Sequence, residues 1–207
     1  MKSSMRSRGG AILAVVGGLS AAAMAGSPHA CMHPPEMAAA RWTGGFWGAR
    51  VELCRAKTLD ALEAAMRCPT NGAQLCNFEL AGVEGARHKG NNWSDGDVYK
   101  WIESMARIYA LTRDPALDRT MDEWIARIAK TQAEDGYLGT QTQFNPAKPR
   151  WGMRNYHELY NMGHLLTAAA VHHRATGKAS LLDVARKCAD HLYRTYQPRP
   201  KELAHFG

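Results

Sequence analysis

The stretch NNWSDGDVYKWIESMARIYAL, residues 91–111, sets two carboxylates, Asp95 and Asp97, between two indoles, Trp93 and Trp101. An amphipathic pattern begins there. A second polar cluster, YHELYNMGH, opens another apolar run, with His157, Tyr160, Asn161 and His164 at i, i+3, i+4 and i+7, one face of a helix. Carboxylates and imidazoles bond hydroxyls, while aromatic faces such as those of Trp93, Tyr99, Trp101 and Tyr160 stack on the C–H faces of sugar rings. Helix N-termini add exposed N–H groups and a positive dipole end, which suits an oxygen-rich ligand.

Plainer roles compete with this chemistry. Asp95 or Asp97 could be an N-cap, the commonest task of Asp at a helix start. The His157–His164 face could be an internal hydrogen-bond network. Four polar side chains on a helix otherwise built of Leu, Met, Gly and Ala are costly to bury without partners, so a wet pocket is the better account. The two histidines of HELYNMGH are seven apart, not the H-E-x-x-H of a zinc protease. His172 and His173 point to different faces and read as packing or surface residues.

The elements that must carry these clusters are helices. Trp101, Met105 and Ile108 recur at i, i+4, i+7, and Leu117, Met121, Trp124, Ile125 and Ile128 form a second stripe. The pattern predicts helices from Gly48 to Met66, Val98 to Thr112, Pro115 to Glu134, His157 to Thr176 and Ser180 to Thr195. TRDP, EDGYLG and TGK supply the stops. No sustained strand alternation appears. A shift of 64 residues lays Tyr109 on His173, Thr112 on Thr176, Leu117 on Leu181 and Ile128 on Leu192. The expectation is an all-α chain of stacked antiparallel hairpins, in which the helices starting near Asp97 and His157 are neighbours in one layer. Hairpins of this kind bury a core only against neighbours on both sides. An array that stops soon after a helix therefore exposes apolar faces, and self-association through them is expected.

Residues 1–25 read as a secretory signal: basic Lys2, Arg6 and Arg8, then a Gly/Ala-rich apolar run ending in Ala23-Met24-Ala25. Export to a periplasmic or secreted location follows, with 26–41 as linker and 42–207 as the folded part. The apolar run is short for a membrane span, and no other stretch could make one. Removing the signal lowers the formal charge from +7 to +4, and the basic residues left are interspersed with acidic ones, so nucleic-acid binding has little support. Of five cysteines none forms C-x-x-C; Cys68 and Cys76, which flank PTNGAQL, are the best local disulfide pair, and Cys188 falls on an apolar helix face.

The segments GGFWGARVE, SDGDVYKWIE, TQAEDGYLGT and HELYNMGHLLTAAAVHHRATGKASLLDVA, in this order, are similar to the N-terminal part of glycoside hydrolase family 127, the β-L-arabinofuranosidase family. The resemblance runs from about Trp42 to Tyr196. It implies an (α/α)6 barrel, of which this chain would be an incomplete front part, in a longer, retaining exo-enzyme acting on plant-type arabinose-containing glycans. It also implies a zinc-bound cysteine nucleophile, with ligands from a Glu-x-Cys motif and an adjacent cysteine pair, and a separate acid/base glutamate. This chain has no adjacent cysteines, and Glu52-Leu53-Cys54 lies in the first helix, where it reads as a chance match. The resemblance therefore implies that the catalytic residues and the zinc ligands lie past Gly207, that this chain alone is inactive, and that it carries a substrate-side wall: Asp95, Asp97, His157, Tyr160 and His164. Two rivals are another α/α-barrel carbohydrate enzyme, such as an unsaturated glucuronyl hydrolase, and a non-catalytic carbohydrate-binding or structural helical array.

Overall fold

A computed structural model describes Met32 and residues 35–198. The candidate signal, residues 1–25, lies outside them. Contacts divide the chain after Pro35, and all elements below belong to the unit that starts at Glu36. They are α1 (Gly45–Leu53), α2 (Leu59–Arg67), α3 (Gln74–Asn77), α4 (Ser94–Thr112), α5 (Pro115–Thr131), α6 (Thr140–Gln143), α7 (Glu158–Thr176) and α8 (Ser180–Tyr196). No strand occurs among the described residues, and none of their helices is long and apolar enough to cross a membrane.

The turns behave as their residues require. Arg113 ends α4 in the left-handed region at φ 56°. Asp114 then caps α5, accepting from Ala116 N–H at 2.8 Å, with Pro115 in the first turn, where its missing N–H costs nothing. Gly177, at φ 77°, closes α7. The two hairpins α4–α5 and α7–α8 pack so that α4 lies against α7 and α5 against α8, the layering expected from the repeat. Ile102 and Met105 of α4, Met121 and Ile128 of α5, Leu165 of α7 and Leu181 of α8 share one core. Leu59 and Met66 of α2 join it, and Trp101 Nε1–H donates to Leu59 O at 3.0 Å.

Some expectations are corrected. The first helix is longer than read, and a π-helical stretch, Cys54–Thr58, separates α1 from α2. α4 begins at Ser94, so Asp95 and Asp97 lie in its first turn and neither is the N-cap; that position is Trp93. α5 stops at Thr131, because the chain turns at Gln132 to enter a long crossing segment. Cys68 and Cys76 are free thiols, their Sγ atoms turned to Thr70 Oγ1 and Arg67 O.

Two features prepare the site. Gly96 lets α4 and α7 approach closely: a Cβ there would come within 2.9 Å of Asn161 Oδ1 and 3.1 Å of the Tyr160 ring. The repeat also separates covered positions from open ones. Gly96, Tyr99 and Ala106 on α4 are buried, while their counterparts 64 residues later, Tyr160, Gly163 and Ala170 on α7, are exposed.

Candidate functional site

The starts of α4 and α7 meet at one end of the bundle, and the two aspartates part company there. Asp95 is 1 % exposed. Its Oδ2 accepts from Thr140 N–H at 2.8 Å and its Oδ1 from Thr140 Oγ1–H at 2.6 Å, while His88 Nδ1 lies 2.9 Å from the same hydroxyl. Burial raises the Asp95 carboxyl above its usual range, opposed by the two Thr140 bonds and the His88 ring. Thr140 starts α6, so Asp95 ties α4 to the crossing segment between α5 and α7. Its oxygens face protein.

Asp97, one turn position away, is half-buried. Its Oδ1 holds Lys100 Nζ at 2.9 Å, and the same ammonium donates to Tyr160 OH at 2.9 Å and lies 5.3 Å from that ring's centroid. From Tyr160 an edge-to-face series of rings runs both ways: His164 at 4.6 Å, His157 at 5.8 Å, then Trp93 at 5.4 Å from His157. Burial and the neighbouring Lys100 charge lower the His164 imidazole, which favours the neutral ring, with one donor and one acceptor. Asp97, His157, Tyr160 and His164 are thus brought together, and Asp95 is not among them. Of the four aromatics singled out in the sequence, Trp93 and Tyr160 are 43 % and 42 % exposed, but Trp101 and Tyr99 are buried core residues. Asn161 is spent on packing: Oδ1 accepts from Gly96 N–H at 3.0 Å and Nδ2 donates to Asn92 O at 2.8 Å.

Beside this ridge an open groove of about 410 Å³ runs between α2, α3 and α4, with Asp97, Lys100, Ser104, Asn71 and Gln74 on its wall. Gln74 was not picked out from the sequence. It is 9 % exposed, and its Oε1 has no hydrogen-bond partner among the described residues. A buried amide oxygen left unpaired is expensive. Its neighbour Ala73 is held at φ 48°.

Glu158, the Glu of HELY, repeats the Asp95 arrangement. It is 4 % exposed; Tyr137 OH donates to Oε1 and Trp151 N–H to Oε2 at 2.8 Å. Burial raises its carboxyl. Tyr137 and Thr140 both come from EDGYLGT, so each buried carboxylate grips the same crossing segment.

Residues 39–205 match the model of the β-L-arabinofuranosidase, GH127 catalytic domain. The chain belongs to glycoside hydrolase family 127. It is 39 % identical over 116 residues to a non-reducing end β-L-arabinofuranosidase of Bifidobacterium longum subsp. longum, a match covering 54 % of this chain and 18 % of that protein. Among solved structures it resembles a GH127 β-L-arabinofuranosidase from Geobacillus stearothermophilus T6, with TM-score 0.70, 32 % identity and coverage of 74 % of this chain and 25 % of the other. A second GH127 β-arabinofuranosidase superposes with TM-score 0.67 at 31 % identity, over 78 % of this chain and 27 % of the other. The chain thus spans about a fifth of the length of the curated relative and about a quarter of these structures.

The zinc that the family-127 resemblance implies does not fit the residues described. None of their His, Cys, Asp and Glu side chains gather in threes. Cys188 is buried in the core, where desolvation lifts its thiol to about 12. Glu52 pairs with Arg55 at 2.6 Å rather than facing Cys54. No step can be derived through a metal here.

Proposed function

We propose that this chain forms the sugar-binding wall of a β-L-arabinofuranosidase-like glycoside hydrolase that acts on terminal arabinofuranosyl residues of a plant-type glycan. The observation that carries the reading is the juxtaposition, at the starts of α4 and α7, of two exposed aromatics with Asp97, Lys100, His157 and His164. Trp93 and Tyr160 offer faces for ring C–H groups. Asp97 accepts from a hydroxyl, and His157 and His164 can donate or accept. Asp95 stands behind this wall, bonded to Thr140 of the crossing segment.

Retaining hydrolysis needs an acid and a nucleophile on opposite sides of the anomeric carbon, about 5–5.5 Å apart when both are carboxyls. The two buried carboxylates here, Asp95 and Glu158, already accept from protein donors on both oxygens. The reading therefore assigns the reacting groups, and the zinc of the resemblance, to parts of the enzyme other than the described residues. Export is part of the same reading, on the basic start and apolar run of residues 1–25, and so is self-association through the open α7 face.

The test is made on the purified 207-residue chain with methyl and aryl β-L-arabinofuranosides, with and without zinc. Saturable NMR shifts at Trp93 and His157 are expected, with no release of the aryl alcohol. Turnover above the uncatalysed rate would overturn the assignment of chemistry elsewhere. An absence of shifts would sink the sugar wall, and a clear preference for an unsaturated uronide would favour the glucuronyl-hydrolase rival.

A further inference from the structure

Trp93 and His157 touch edge to face at the mouth, ring centroids 5.4 Å apart, yet neither ring is fully buried. Trp93 is 43 % exposed, and its indole sits on the turn before α4. His157 sits on the turn before α7 at φ 55°, a left-handed conformation that a non-glycine residue holds only when its surroundings impose it. Ring contact alone does not hold two exposed turns in register, so bonds between the turns are needed to keep the pair together.

Two asparagines do so. Asn161 is 1 % exposed. Its Oδ1 accepts from Gly96 N–H at 3.0 Å, a first-turn donor that otherwise reaches only Trp93 O at 3.0 Å. Its Nδ2 donates to Asn92 O at 2.8 Å, the carbonyl just before Trp93. Asn92 then reaches the other way: its Nδ2 donates to Asn155 O at 2.7 Å, two residues before His157, and its Oδ1 accepts from Lys148 Nζ at 2.7 Å. Both amides are used at both ends. The bonds run from α7 to the Trp93 turn and from that turn back to the His157 turn.

We propose that Asn92 and Asn161 are the positioning residues of this mouth, a bracket that holds the Trp93 and His157 turns together and so fixes the aromatic surface that a furanose ring would meet. Neither touches the ligand. Asn161 sets the Trp93 side from beneath, and Asn92 sets the His157 side. Gly96 belongs to the device, because any Cβ there would crowd Asn161 Oδ1. The ligand part of the inference rests on the sugar-wall reading; the bracket itself does not.

The experiment uses the 207-residue chain and NMR. In the wild type, an NOE between the Trp93 indole and the His157 ring is expected. In Asn92→Ala, which leaves the buried Asn161 in place, that NOE should fall severalfold while the melting temperature stays within about 2 °C, as for a half-buried side chain off the core. Asn161→Leu should lose it as well, with a lower melting temperature. Affinity for methyl β-L-arabinofuranoside should weaken about tenfold in each, and the double variant should be little worse than the weaker single, because the two act through one link. An undiminished NOE in Asn92→Ala overturns the bracket, whether or not Asn161→Leu folds. A lost NOE with unchanged sugar affinity overturns its role in positioning. A wild type that ignores the sugar but loses the NOE in Asn92→Ala upholds the bracket and removes the sugar-wall reading instead.

Discussion

Asp95 and Asp97 are two residues apart and chemically identical, yet they belong to different regions. Asp95 itself is fully paired: Thr140 donates to both its oxygens, and Tyr137 and the Trp151 amide do the same for Glu158. Around Asp97 one ammonium is shared between a carboxylate and a phenol, and the rings of Trp93 and Tyr160 stand partly in solvent. The first region spends its polar groups on holding the crossing segment; the second leaves them available. A polar motif at a helix start can therefore contain both a clamp and a contact surface, and residue type does not tell them apart.

The largest effect is expected at the clamp. Asp95→Ala removes the partner of a buried hydroxyl and a buried amide, and should destabilise the chain by about 3 kcal/mol in urea unfolding. A loss below about 1 kcal/mol, the range of ordinary surface changes, would show that the clamp carries no weight.

Next in size is a pH effect at a third position, where a polar group is buried and unpaired. His172 is fully buried, neither ring nitrogen has a partner among the described residues, and desolvation lowers its affinity for protons. Its folded pKa lies below the usual 6.5, so the unfolded state binds the proton first. The stability it permits is present above pH 6.5 and is lost as the pH falls below that value toward the folded pKa. Burial also lowers His88, His164 and His191, so the wild type should soften in acid through several groups. His172→Phe should flatten that slope in melts between pH 7.5 and 5 by about one titrating group. An unchanged slope would remove His172 from the account.

The smallest expected change in stability is Asp97→Asn. The lost ion pair with Lys100 is partly exposed, and such pairs contribute about 0–1 kcal/mol. The melting temperature should hold while binding of the arabinofuranoside weakens about tenfold or more. Equal binding by Asp97→Asn and by His157→Ala would erase the distinction between the two regions.

The helical layers were legible because they rest on short-range signals: apolar stripes at 3.6-residue spacing, Asp114-Pro115 at one turn, Gly177 at another, and a 64-residue repeat that put α4 beside α7. The division within the site was not. Asp95 finds Thr140 45 residues later, and no local pattern separates that pairing from a cap. Gln74 sat in PTNGAQL, which reads as a turn; only the packing of α2 and α4 around it buries its amide. Trp101 and Tyr99 carry both apolar area and a polar atom, so type alone left them as ligand candidates when the core had claimed them. Nothing in CRAKT announces the π-helical stretch at Cys54–Thr58.

α1 contains no buried residue, and Phe46 and Trp47 within it stay 64 % and 61 % exposed. Within it only Val51 packs, half-buried, against the core, so α1 can open locally while the core stays closed. Hydrogen exchange would find the amides of Gly45–Leu53 fast beside those of α4 and α7. Circular dichroism would count these residues as helix, while a calorimeter, which weighs only what melts together, would leave them out.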